Sequence, residues 1–163
     1  MGVAGSGKSA VAKAVAQALA LPCIEGDDFH PPGNIEKMRQ GTPLTDADRA
    51  GWLDELASQL GAYPRGGALS CSALKRDYRV RLRSAIPNLQ FVFLHIEPAQ
   101  ALARVESRAG GHPFPPSLVP SQFATLEDPS GEPGVLRLDA SKPIAELTAM
   151  TIDWLTREVS AEH

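Results

Sequence analysis

Apolar residues recur along the chain at two spacings, and the alternation between them sketches the architecture. Val11, Val15 and Leu19 stand four residues apart within 8–20, which predicts an amphipathic helix with one buried stripe. Leu21 to Glu25 then reads as a short strand ending at Gly26. Thr45-Asp46-Ala47-Asp48 resembles a capping box and opens a predicted helix carrying Trp52, Leu53, Leu56 and Leu60 on one face, with Gly61 as its stop. Ala68 to Cys71 is a second short strand, followed by a basic helical stretch from Lys75 to Arg83. Gln90 to Ile96 gives the strongest buried-strand signal, and Pro98 behind it suits a first helical turn. Ala109 to Ser121, rich in Pro, Gly and Ser, interrupts the helical signals and reads as a mobile flap. Val135 to Leu138 is a last strand, and Ile144, Leu147, Thr151, Trp154 and Leu155 form the inner face of a closing helix. Strands alternating with helices imply an α/β fold, a doubly wound parallel sheet covered on both faces.

Composition narrows the class. The chain has 163 residues, 43% hydrophobic and 21% charged, which suits one folded domain over 1–163 and argues against wholesale disorder. Sixteen basic against nineteen acidic residues leave a net charge of −3, the wrong balance for a protein that coats nucleic acid. Two cysteines, Cys23 and Cys71, are too few for a disulfide framework. No apolar run reaches bilayer length, and the Gly-rich start with Lys8 and Lys13 lacks the apolar core of a signal peptide. The expectation is a cytoplasmic protein with neither membrane nor nucleic acid as partner.

The chemistry begins at residue 2. Gly2-Val3-Ala4-Gly5-Ser6-Gly7-Lys8-Ser9 fits G-x-x-x-x-G-K-[ST], the phosphate-binding P-loop. Glycines let the backbone curl so that successive N–H groups converge on phosphate oxygens, and the helix that follows adds the positive end of its dipole. Lys8 can reach the β- and γ-phosphates of ATP, and the Ser9 hydroxyl can ligate Mg²⁺. A P-loop ordinarily follows a buried strand, whereas only Met1 precedes Gly2. The first strand is therefore expected ahead of an internally assigned start. The alternative is a truncated, inactive nucleotide-binding remnant.

Further motifs follow in order: Gly26-Asp27-Asp28-Phe29-His30-Pro31, Asn34-Ile35-Glu36-Lys37-Met38, Gly41-Thr42-Pro43-Leu44-Thr45-Asp46-Ala47-Asp48-Arg49, Cys71-Ser72-Ala73-Leu74-Lys75 with Tyr78-Arg79, and Ser121-Gln122-Phe123-Ala124-Thr125-Leu126-Glu127. With the P-loop, this series resembles the gluconate kinase (gluconokinase) family, small P-loop kinases related to shikimate and adenylate kinases. The resemblance implies transfer of the ATP γ-phosphoryl group to the 6-hydroxyl of D-gluconate, and a homodimer. Another sugar acid or a shikimate-like acceptor is the alternative substrate.

Within that resemblance Asp27, at the carboxyl end of a predicted strand, is the candidate general base or hydroxyl-orienting group. Asp28 and His30 are weaker candidates, for binding the polyol. Arg49 could grip the gluconate carboxylate with its guanidinium fork. Lys75 and Arg79 are candidates for substrate or phosphate contact. Arg104 and Arg108 share a helix face next to the flap, where related kinases keep arginines that close on the phosphates. Asp139, between the last strand and helix, occupies the place where such kinases contact adenine. Around His112 and Pro113 the sequence departs from the family pattern. Cys71 reads as a buried small hydrophobe, and Arg76, Arg81 and Arg83 as solvated helix charges.

Overall fold

Apolar alternation along the third predicted strand places one set of side chains on each face of a sheet, and the structure builds a core on both. The computed structural model describes residues 1–108 and 114–161. Strands β1 (Cys23–Glu25) and β2 (Ala68–Ser70) pair in parallel, as do β3 (Phe91–His95) and β4 (Val135–Asp139). Phe91 and Phe93 point to one face, where they pack with Trp52, Leu53 and Leu56 of α3 (Asp46–Gly61) and with Tyr78 and Leu82 of α4 (Arg76–Ala85). Leu94 and Leu138 point to the other. There they meet Val11 and Val15 of α1 (Lys8–Ala18), Ala101 and Val105 of α5 (Pro98–Ser107) and Leu147 of α7 (Ile144–Ala161). Two shorter helices, α2 (Pro32–Arg39) and α6 (Val119–Thr125), complete the set. Among the described residues no helix is long and apolar enough to cross a membrane.

The two strand pairs do not join directly. In the gap between β2 and β3 the Met1 ammonium donates to the Val92 carbonyl at 2.6 Å, and the Leu94 amide donates to the Met1 carbonyl at 3.0 Å. On the opposite side the Gly2 amide donates to the Ser72 carbonyl at 3.2 Å. Met1 and Gly2 thus make the ladder bonds of a central parallel strand, at the place expected for the strand that feeds the P-loop. Beside them lies a cavity of about 500 Å³ walled by Val11, Val15, Leu69, Phe91 and Val92. Gln90 Oε1, also on its wall, is buried without a hydrogen-bond partner. Burial pushes the Met1 ammonium down to about 5, with repulsion from Lys8 adding to it.

Local chemistry sets most boundaries. Thr45 accepts from the Asp48 amide at 3.1 Å while Asp48 accepts from the Thr45 amide at 2.9 Å, the reciprocal capping box foreseen from sequence. The Lys37 ammonium and the Thr45 amide together hold the Asp48 carboxyl down to about 2. At the other end of α1, the Leu21 amide reaches the Ala16 carbonyl and the Ala20 amide reaches that of Gln17, a Schellman closure. Its left-handed position is held by Ala20, at φ 53°. Relief of that conformation is worth ~1–2 kcal/mol, against ~0.4–1 kcal/mol of extra chain entropy when glycine is introduced. Ala20→Gly is accordingly expected to stabilise the fold by ~0.5–1 kcal/mol. A higher urea midpoint at unchanged slope is the check.

Three sequence expectations need correction. Leu19 caps α1 and is 37% exposed, so the buried stripe stops at Val15. Ile144, in the first turn of α7, is 48% exposed, whereas Leu147 and Thr151 are buried and Trp154 and Leu155 partly so. The expected flap over 109–121 is in its second half a packed element. Pro115 and Pro116 fix the backbone for a 3-10 turn over Pro116–Leu118, and α6 starts at Val119 with Leu118 and Val119 both buried. Residues 109–113, including His112 and Pro113, lie outside the described residues.

Candidate active site

A single pocket forms where the carboxyl ends of β1 and β2 meet the start of α1, the location where open parallel sheets collect ligands. Its floor is the P-loop. Gly5, at φ 82°, passes so close to α5 that a Cβ would sit 2.7 Å from the Ala101 carbonyl oxygen, so only glycine fits. Arg104 of α5 braces the loop from behind, donating to the Gly5 carbonyl at 3.2 Å and to the Ala140 carbonyl at 2.9 Å. On the opposite flank the Ala4 amide donates to Gln122 Oε1 at 2.6 Å. Arg104 also ties the loop to the turn after β4, where Asp139 accepts from both the amide and the hydroxyl of Ser141 at 2.9 and 2.7 Å. That hydroxyl and amide hold the Asp139 carboxyl below its usual range.

Lys8 opens α1 and donates to the Val3 carbonyl at 3.1 Å. Desolvation lowers its pKa; Asp27 offsets this, and among the described residues no carboxylate lies within ion-pair distance of the ammonium. Ser6 Oγ is buried in the loop with no partner. A half-compensated ammonium, an orphaned hydroxyl and the first-turn amides of α1 all suit a polyphosphate, whose oxygens would satisfy each of them. The Ser9 hydroxyl, 3.3 Å from that of Ser70, offers hard oxygen, which suits Mg²⁺. The residues present therefore fit both ATP and Mg²⁺.

The facing wall begins with Asp27. Gly26 lets the 3-10 turn Gly26–Phe29 lie directly on β2: a Cβ there would be 2.4 Å from the Ser70 carbonyl oxygen. This close approach delivers Asp27 into the pocket opposite Lys8, with 39% of its side chain exposed. His30 lies beside it, buried and stacked on the Trp52 ring at 4.1 Å and 13°, with Nε2 at 3.8 Å from Asp27 Oδ1. Arg49 reaches the same wall, donating to the Tyr78 hydroxyl at 3.2 Å while its guanidinium lies over the Tyr78 ring. The Tyr78 hydroxyl in turn bonds Asp46. Thr42, Leu44, Ser72 and Leu118 line the remainder, and Arg108 stands at the exposed rim.

The pocket thus gathers Ala4, Gly5, Gly7, Lys8, Ser9, Asp27, His30, Arg49 and Arg108 from the expected residues. It leaves others out. Arg79 is fully buried, and each of its five N–H donors already has an acceptor: both Glu132 oxygens and the carbonyls of Ala73, Leu74 and Glu127. It has nothing to offer a substrate, contrary to the expectation from sequence. Lys75 is paired with Asp46 at 2.9 Å, and Asp28 faces solvent. Arg104 grips backbone carbonyls. Arg81 pairs with Asp54, Arg83 lies 4.7 Å over the Phe91 ring, and Cys71 is buried with its thiol pushed up to about 11 by burial. Gln122 is a site residue that the sequence does not announce: nothing local tells that its amide reaches a loop 118 positions away.

Comparison with known proteins accords with this geometry. No family model matches the chain. Gluconokinase of Gluconobacter oxydans is 46% identical over 146 residues, covering 87% of this chain and 81% of that protein. Thermoresistant gluconokinase of Escherichia coli is 43% identical over 157 residues, 94% and 89% of the two chains. The crystal structure of a gluconokinase from Sinorhizobium meliloti superposes with a TM-score of 0.89 at 46% identity, covering 99% of this chain and 91% of its own. At 20% identity and a TM-score of 0.67, the APS kinase of Mycobacterium tuberculosis shares the fold. With relatives this similar over most of its length, the chain belongs to the gluconokinase family.

Proposed function

We propose that this chain transfers the γ-phosphoryl group of ATP, with Mg²⁺, to the 6-hydroxyl of D-gluconate, yielding 6-phosphogluconate and ADP. The observation that carries the reading is the convergence, in one pocket, of a phosphate cradle with Lys8 and Ser9 and a polar wall with Asp27, His30 and Arg49. The named relatives support the choice of acceptor.

Phosphoryl transfer asks a protein mainly for alignment and neutralisation of charge. Gly2 to Ser9 would hold the triphosphate through backbone amides, Lys8 would bear on its terminal phosphates, and Ser9 would hold the metal with phosphate oxygens and water. When bound, magnesium ATP supplies the electrophilic phosphorus and the ADP leaving group. Asp27 orients the acceptor hydroxyl and takes its proton as the oxygen–phosphorus bond forms. Arg49, steadied by Tyr78, meets the acceptor carboxylate, and His30 meets a hydroxyl beside Asp27. Arg108 adds positive charge at the rim, and Arg104 stiffens the cradle against Gly5. A homodimer, expected from the family resemblance, completes the proposal; light scattering in solution measures it.

A coupled ADP-release assay across sugar acids and polyols tests the reading. Turnover that depends on gluconate, with shikimate and neutral polyols much poorer, is the expected result. Preference for another acceptor would move the chain to a different substrate. Nucleotide binding without turnover on any acceptor would make it a remnant.

A further inference from the structure

Asn34 is a polar side chain only 5% exposed, in the first turn of α2, and nothing in the phosphoryl-transfer chemistry requires it. Its Nδ2 lies 2.8 Å from the Asp48 carbonyl oxygen and 3.4 Å from His30 Nδ1. A carbonyl oxygen can only accept, so the group facing it is the amide NH₂, which leaves its second hydrogen for His30. His30 Nδ1 must then accept, and the ring proton sits on Nε2, the nitrogen that faces Asp27 Oδ1 at 3.8 Å. The ring cannot swing away from this arrangement: Trp52 stacks beneath it and is itself fixed by donating from Nε1 to the Gly26 carbonyl at 2.8 Å.

We propose that Asn34 is a positioning residue that locks His30 as its Nε2–H tautomer, so that His30 donates a hydrogen bond to Asp27 or to an acceptor hydroxyl and cannot serve as a base. The assignment rests on the reading of this wall as the acceptor site only for its kinetic consequence. The tautomer is a property of the free protein. Burial, with the Arg49 charge adding to it, pushes the His30 pKa down to about 4, in keeping with a neutral ring. An Nδ1–H tautomer or an imidazolium would set two donors face to face across the Asn34 contact.

Long-range proton–nitrogen correlation spectra of the ¹⁵N-histidine-labelled chain at neutral pH test this directly. The His30 signals are identified among the four histidines by their loss in His30→Gln. The expected pattern is a pyridine-type Nδ1 and a pyrrole-type Nε2. A proton on Nδ1, or on both nitrogens, overturns the proposal whether or not the chain is a gluconate kinase. In Asn34→Leu the amide donor is lost, so the single pattern should give way to a mixture of the two tautomers while kcat/KM for the acceptor falls severalfold and the nucleotide KM stays put. His30→Gln, whose Nε2 still donates, should retain most of the acceptor kcat/KM, whereas His30→Leu should lose roughly tenfold. Equal losses in those two variants would contradict the donor role.

Discussion

Asp27→Asn is expected to lower kcat by on the order of 10²–10⁴-fold while leaving nucleotide affinity nearly unchanged. The substitution preserves shape and hydrogen-bonding reach but removes the site that takes the proton of the acceptor hydroxyl. Asp27 stands on the wall facing the P-loop and forms no ion pair with Lys8, so the phosphate cradle should survive its neutralisation. Only the Coulombic support that Asp27 gives the Lys8 ammonium is lost. Initial-rate kinetics with each substrate varied, and nucleotide binding by titration calorimetry, separate the two effects. Near wild-type turnover would remove Asp27 from the role of base. Weakened nucleotide binding with intact turnover would instead make it part of the cradle.

The second large effect concerns stability. Arg79→Met is expected to destabilise the fold by ~3–5 kcal/mol, because one side chain removed takes the hydrogen bonds from the Ala73 and Glu127 carbonyls and leaves the Glu132 carboxylate with Arg83 alone, at 3.4 Å. For a chain of this length that corresponds to a fall in Tm of about 6–20 °C. Methionine keeps much of the apolar stem, so the loss is chiefly of hydrogen bonds and charge. Glu132, which takes two of those bonds, is held below its ordinary 4.5, first by the Arg79 guanidinium and then by its charge and that of Arg83. A depressed folded pKa means stability that is complete above about 4.5 and drains away as pH falls through the lower folded value. Wild type should therefore lose this contribution in acid, and the variant should show a shallower acid dependence. Thermal melts of both proteins at neutral and acid pH measure it. An unchanged Tm at neutral pH would show that Arg79 is not the interior clamp its contacts describe.

How far a sequence reveals such features depends on the range of the interactions that define them. The P-loop and the Thr45 capping box are legible because their chemistry is complete within a few residues. The alternation of Phe91 and Phe93 against Val92 and Leu94 likewise gives both faces of the sheet. Arg79 is the opposite case. In the helix α4 it lies beside Tyr78 and three positions before Leu82 on the buried side, a position that charge alone argues against. Only the fold brings Glu132, 53 residues on, to meet it. Lys75 reads from sequence as a candidate for substrate or phosphate contact for the same reason, since Asp46 lies 29 residues earlier and becomes its partner only when α3 packs on α4. In the second half of the expected flap a packed turn replaces a loop, because a Pro- and Ser-rich composition describes both a loose loop and a turn whose prolines preset a packed helix start. For Asn34, burial and two distances assign a proton that no sequence pattern carries.

The central claim is that the cradle around Lys8 and the wall around Asp27 act on one sugar acid, at its terminal alcohol. Phosphorus and carbon NMR of the product formed by the chain from magnesium ATP and D-gluconate tests it most directly. The account predicts a single phosphate ester whose carbon–phosphorus coupling lies at C6, formed in equal amount with ADP. An ester at another carbon, or consumption of ATP with inorganic phosphate as the only new phosphorus species, would contradict it.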